Sequence, residues 1–192
     1  MAPRADKRQA ILDGALAIFA RDGYTRAGID VIAKEAGVST RTIYNHFQDK
    51  AGLFQAVISQ SAEGVAERHT ALIDAHLRKV TDLEDDLTEF GTVWMLRITE
   101  ADAAHFALVR QIQADAGHIP RAAVDSWQKA GPLRVRRHLA DRLAALPGLR
   151  LADPWLAAKH FMALIDTDPM YDTPGEAHIR AGVRAFLYGY HR

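Results

Sequence analysis

No cysteine occurs among the 192 residues. Disulfides, thiolate zinc sites, iron–sulfur clusters and cysteine nucleophiles are therefore excluded. Neither sign of charge is in excess: 24 Lys and Arg meet 24 Asp and Glu, which argues against a polybasic tail and, on charge alone, against nucleic acid as a partner. The longest uninterrupted apolar run, Ala15 to Ala20, falls far short of the roughly 20 residues that cross a bilayer, and it lies in an amphipathic pattern. The expectation is a soluble, cytoplasmic chain with no membrane association. Runs of alternating β-branched residues are missing too, so nothing reads as a strand. There is no Glu-x-x-His pair, no glycine-rich phosphate loop and no set of nucleophile, base and orienting group. An enzymatic activity, a metal or a cofactor is thus not expected. Asp102-x-x-His105 and Asp115-x-x-His118 have a metal-like spacing, but nine histidines among so many acids should produce about one such pair by chance.

What is present is helical periodicity, in a chain of ordinary globular composition with 48% hydrophobic and 25% charged residues. The fold class is all-α, with about nine helices. From Asp6 to Arg21 one apolar stripe comprises Ile11, Leu12, Ala15, Leu16 and Phe19 and stops at Gly23. Gly28 to Ala36 follows, ended by Gly37, and Ser39 caps a third helix from Thr40 to Phe47. A long helix runs from Lys50 towards Leu77. Thr81 and Glu84 form a capping-box pattern that opens a helix to Thr99, and the next spans Ala101 to Asp115. Residues 121 to 145 are helical in pattern, with a kink at Gly131-Pro132. Asp153-Pro154 and Thr173-Pro174 open the last two helices.

Two short helices joined by a glycine turn, Ile29-x-x-Ile32-Ala33-x-x-Ala36-Gly37-Val38-Ser39, form the pattern of a helix-turn-helix. That pattern alone also suits a structural α-hairpin. The outer face of the second helix separates the readings: Thr40, Arg41, Thr42, Tyr44, Asn45 and His46 are all residue types with hydrogen-bonding side chains, Lys50 follows, and no acid lies between Val38 and Gln48. Short donors suit phosphate oxygens, and Arg41 suits guanine O6 and N7 in the major groove. The start of the helix at Lys50 would add backbone N–H groups for a phosphate.

On Arg8, Ile11, Leu12, Ala15, Phe19, Gly23-Tyr24, Ile32-Ala33, Ala36-Gly37-Val38-Ser39, Thr42-Ile43-Tyr44-x-His46-Phe47, Lys50 and Leu53, the chain closely resembles the TetR family of transcriptional regulators. The match runs without a gap over about residues 6 to 55. The resemblance implies a three-helix DNA-binding head, here residues 1–50, on a helical body, residues 51–192, that binds a small-molecule effector and dimerises. Such proteins usually act as repressors of a pseudo-palindromic operator in double-stranded DNA. By position, Thr40, Arg41 and Tyr44 match base-facing residues, and Thr42, Asn45, His46 and Lys50 match phosphate-contacting ones. The chain departs from the family at Ala27-Gly28, where Thr-Ser commonly caps the second helix. Asp30 there suits either a cytosine amino group or a solvated helix start.

In the body, Gly131-Pro132 with Phe106, Val109 and Ile112 resembles the AefR-like subgroup of C-terminal domains. Phe90, Trp94, Met95, Phe106, Trp127 and Phe161 are large side chains on different helices, and a proline kink among them would leave a cavity for the effector. His105, Gln111, Gln113, His118 and His160 are its candidate polar groups. Each aromatic taken singly also reads as core. The last two helices are the candidate dimer interface, through His160, Leu164, Ile165, Ile179, Val183, Phe186 and Tyr190. The competing reading is a helical small-molecule-binding or scaffold protein whose helix-turn-helix is only structural. Charge is not evenly spread: residues 1–50 carry eight basic and six acidic side chains, a net of +2, and the rest carry −2.

Overall fold

The computed structural model describes residues 4–97, 102–115, 117–166 and 175–190, and among these there is no β-strand. The elements are α1 (Arg4–Arg26), α2 (Ile29–Glu35), α3 (Thr40–His46), α4 (Lys50–Leu77) and α5 (Leu83–Met95), followed by α6 (Ala103–Ala114), α7 (Arg121–Ala130), α8 (Pro132–Ala144), α9 (Pro154–Ile165) and α10 (Glu176–Tyr190). The all-α expectation holds. The kink expected at Gly131-Pro132 divides its helix into α7 and α8, with Gly131 at φ −119°, ψ −89°. No helix among the described residues is long and apolar enough to cross a membrane. The helix end expected at Thr99 and the Thr173-Pro174 start lie outside the described residues.

Local signals act where they were read. Ser39 Oγ accepts the Thr42 amide at 3.1 Å, and Asp153 Oδ1 accepts the Leu156 amide at 3.0 Å, with Pro154 at the first helical position. Gly23 breaks α1 with φ 78° and ψ 171°, a conformation that L side chains rarely adopt. The cap of α5 is a correction. Asp82, not Thr81, stands at the N-cap and accepts the Asp85 amide at 2.9 Å, while Asp86 Oδ2 accepts the amides of Thr81 and Asp82 at 2.6 and 3.0 Å. A carboxylate is the stronger acceptor at a helix start, so it displaces the hydroxyl.

The chain forms two compact units, Met1–Val65 with Thr99–Pro132 and Ala66–Ile98 with Leu133–Arg192. In the first, Ile11 and Phe19 of α1, Ile32 of α2, Ile43 of α3, Leu53 and Phe54 of α4, and Leu108 and Ile112 of α6 share one core. Phe54 packs edge-on to Phe19 with centroids 4.9 Å apart. In the second, the aromatic stripes of α5, α9 and α10 converge: Phe161 lies 5.9 Å from Phe90 and 5.3 Å from Phe186. Arg180 and Arg184 of α10 pair with Glu84 of α5.

Candidate nucleic-acid interface

The turn between α2 and α3 is closed by backbone bonds: Ala36 N–H donates to Ile32 O at 2.9 Å and Val38 N–H to Ala33 O at 2.9 Å, with Gly37 at φ 63°. Ile43 and Phe47 pin α3 to the core at 1% and 7% exposure. That phase turns Thr40, Arg41, Tyr44 and Asn45 outward, all exposed, with Thr42 and His46 half-buried beside them. The donor face expected from the sequence is therefore assembled on one side of α3. Thr42 has a second task, because its hydroxyl lies 2.8 Å from that of Ser39 at the cap. Arg8 reinforces the end of the helix, its guanidinium 5.4 Å from the centroid of Phe47.

The start of α4 differs from the expectation. Asp49 Oδ1 accepts the Gly52 amide at 2.7 Å, so a carboxylate already caps one of the amides at this helix start. Lys50 bends back over the end of α1, with Nζ donating to Thr25 O at 3.1 Å and lying 5.0 Å from the centre of the Tyr24 ring. Its burial holds the ammonium below the usual lysine range. At the start of α2, Gly28 makes no side-chain cap. The Asp30 carboxylate occupies the space that a side chain at position 28 would enter.

Residues 11–57 match the family model of bacterial regulatory proteins of the tetR family, and residues 85–173 match that of the AefR-like transcriptional repressor C-terminal domain. The chain belongs to the TetR family. Among curated relatives it is 38% identical to the HTH-type transcriptional regulator UidR of Escherichia coli (strain K12) over 136 residues, 71% of this chain and 64% of UidR. It is 40% identical to the HTH-type transcriptional regulator AcrR of Shigella flexneri over 62 residues, 32% of this chain. That stretch spans only 29% of AcrR. A solved structure of a TetR-family transcriptional regulator from Mesorhizobium loti MAFF303099 superposes with a TM-score of 0.82 at 26% identity, covering 100% of both chains. TetR-family proteins are transcriptional regulators that bind DNA and small-molecule effectors, generally as dimers.

The body residues singled out in this TetR-family chain fall into both units. In the second, Phe90, Trp94 and Phe161 are buried and Met95 packs against them. In the first, His105 is 6% exposed and its Nδ1 lies 2.9 Å from Ser61 Oγ, with Phe106 and Trp127 half-buried. Gln113, His118 and His160 are exposed, which corrects their place among buried pocket groups. His160 Nδ1 instead lies 2.6 Å from the Tyr190 hydroxyl. Ile165, Ile179, Val183 and Phe186, expected at a dimer interface, are buried in the core of their own unit at 0 to 2% exposure. The exposed apolar side chains on α9 and α10 are Leu156, Ala163, Leu164, Ala177, Ala181, Ala185 and Tyr188, of which sequence reading placed only Leu164 at the interface, together with the exposed His160. Alanine adds little to a hydrophobic stripe, so its periodicity was the weak signal that could have found them.

Proposed function

We propose that the chain is a ligand-responsive transcriptional repressor that binds a pseudo-palindromic operator as a homodimer and is released by a small-molecule effector. The observation that carries this reading is the face of α3: Thr40, Arg41, Tyr44 and Asn45 point outward together, while Ile43 and Phe47 hold the helix rigidly to the core. Preorganised donors on a fixed helix suit base edges and phosphates in a major groove. Residues 1–50 serve as the DNA-binding domain and residues 51–192 as the effector and dimerisation domain. A single head offers little surface, so two are required, about 34 to 36 Å apart or a multiple of that spacing. The exposed faces of α9 and α10 are the surfaces for pairing. Within the first unit, Leu108 and Ile112 share a core with α1, which supports passage of an effector signal from α6 to the head. The protein acts in the cytoplasm and has no catalytic role.

The reading is tested by selecting duplexes from a random library with the purified protein. Recovery of a two-fold symmetric site supports it, and a folded dimer that enriches no sequence at low salt excludes it.

A further inference from the structure

We infer that the effector of this chain is an uncharged aromatic compound carrying a hydrogen-bond acceptor, and that the indole N–H of Trp127 is the donor that holds it. The inference rests on the ligand-responsive reading above and names the chemistry of that ligand. Trp127 Nε1 is shielded from solvent and has no acceptor within hydrogen-bonding reach among the described residues. Buried donors are almost always paired in folded proteins, so an exception points to a partner that the chain does not itself supply. An indole nitrogen only donates, which restricts that partner to a group with a lone pair: a carbonyl, an ether or a ring nitrogen. A protonated amine does not qualify.

The first unit places this donor among three of its helices. One residue before it, Ser126 Oγ accepts from Gln55 Nε2 of α4 at 2.9 Å. One helical turn after it, Gly131 approaches α4 so closely that an added Cβ would lie 3.0 Å from Ala62 Cβ. Trp127 therefore shares the side of α7 that faces α4. Ser61, next to Ala62, turns to α6, where its Oγ lies 2.9 Å from His105 Nδ1. The surroundings are apolar: Trp127 and Val124 are half-buried and pack on the first core, and Phe106 stands edge-on to His105 with centroids 5.3 Å apart. Rings on these walls suit a flat aromatic body. Among the described residues of this unit the buried polar side chains are Asp102 and His105, and no Lys or Arg is buried there. An anion would thus give up its hydration near a carboxylate and gain no counter-charge, whereas a neutral acceptor gives up little.

The test follows the indole N–H signals of the 15N-labelled full chain, which has three tryptophans, while probes of matched shape are added. Acetophenone is the neutral acceptor, benzoate the anion, and ethylbenzene the ring without an acceptor. Acetophenone is expected to move the Trp127 signal downfield in a saturable way, as a new hydrogen bond does, and to leave the Trp155 signal in place. Benzoate is expected to bind about tenfold more weakly or worse. Trp127→Phe keeps a ring and loses the donor. It is expected to remain helical, to bind acetophenone about fivefold more weakly, the scale of one neutral hydrogen bond, and to bind ethylbenzene as wild type does. A Trp127 signal that acetophenone leaves unmoved overturns the inference, and so does benzoate binding as tightly as acetophenone. Equal losses of acetophenone and ethylbenzene in Trp127→Phe make the indole a packing surface only, which overturns it as well. Should Trp127→Phe fail to fold, the wild-type spectrum, assigned through the backbone of Ser126 and Trp127, decides between the first outcomes. A wild type that enriches no duplex overturns the repressor reading and leaves these signals untouched, whereas the outcomes above overturn the ligand chemistry alone.

Discussion

Asp74 of α4 and Arg142 of α8 are joined by a 2.6 Å hydrogen bond from Nε to Oδ1, and His138 Nε2 reaches the same oxygen at 2.6 Å. The Arg142 bond is the main cause holding the Asp74 carboxyl below its usual range, partial burial opposes it, and His138 adds to the lowering. A carboxyl lowered in the folded state stabilises the protein above its unfolded value, about 3.9, and loses that contribution as pH falls through the folded value. Asp74→Asn is therefore expected to destabilise at pH 7 by about 0.5 kcal/mol, because both side chains are partly solvated and screened. In urea unfolding, the gap between wild type and variant seen at pH 7 should be narrower at pH 3. A gap of equal size at both pH values contradicts the pairing.

Gly182 of α10 crosses α9 so closely that an added Cβ would collide with the Leu164 carbonyl oxygen, a backbone atom that cannot rotate away. Gly182→Ala is expected to cost about 1–3 kcal/mol as α10 is pushed off α9. Denaturant midpoints measure the loss. Stability equal to that of wild type would show that the two helices can separate freely.

Ala181 is exposed, and Val183 two positions on is fully buried. Pairing of α9 and α10 with a second copy predicts that Ala181→Glu leaves helicity and monomer stability within about 0.5 kcal/mol of wild type while abolishing the dimer. Sedimentation equilibrium checks this outcome. A dimer of unchanged strength assigns pairing to another surface.

Arg41 stands exposed on α3 with no acid on that face. Arg41→Ala should weaken the selected duplex by about 1–3 kcal/mol and relax preference at one base position in each half-site. Repeating the selection with the variant reads the preference directly. Uniform loss with the preference intact makes Arg41 a phosphate contact.

The head was legible in the sequence because its signals are local. A glycine needed for a turn, a serine three residues before the amide it caps, and Ile43 and Phe47 four apart on a helix that shows its donors on the opposite side all act within a few residues of chain. The partner of Lys50 was not legible, because Thr25 is 25 residues distant and its carbonyl carries no residue-specific signature. The outward face of α10 was hidden for another reason. Periodicity marks the side of a helix that is more apolar, and Ile179, Val183 and Phe186 won that comparison because they fill their own core.

The sequence by itself determined the helical class, helix starts such as those capped by Ser39 and Asp153, and the character of the α3 face, since these depend on backbone preference and short-range hydrogen bonding. Only the tertiary structure decided which acceptor takes each charged donor, and which stripes of α9 and α10 are buried and which remain open. Those outcomes depend on packing and on the removal of water from groups far apart in the chain, which no short window of residues contains.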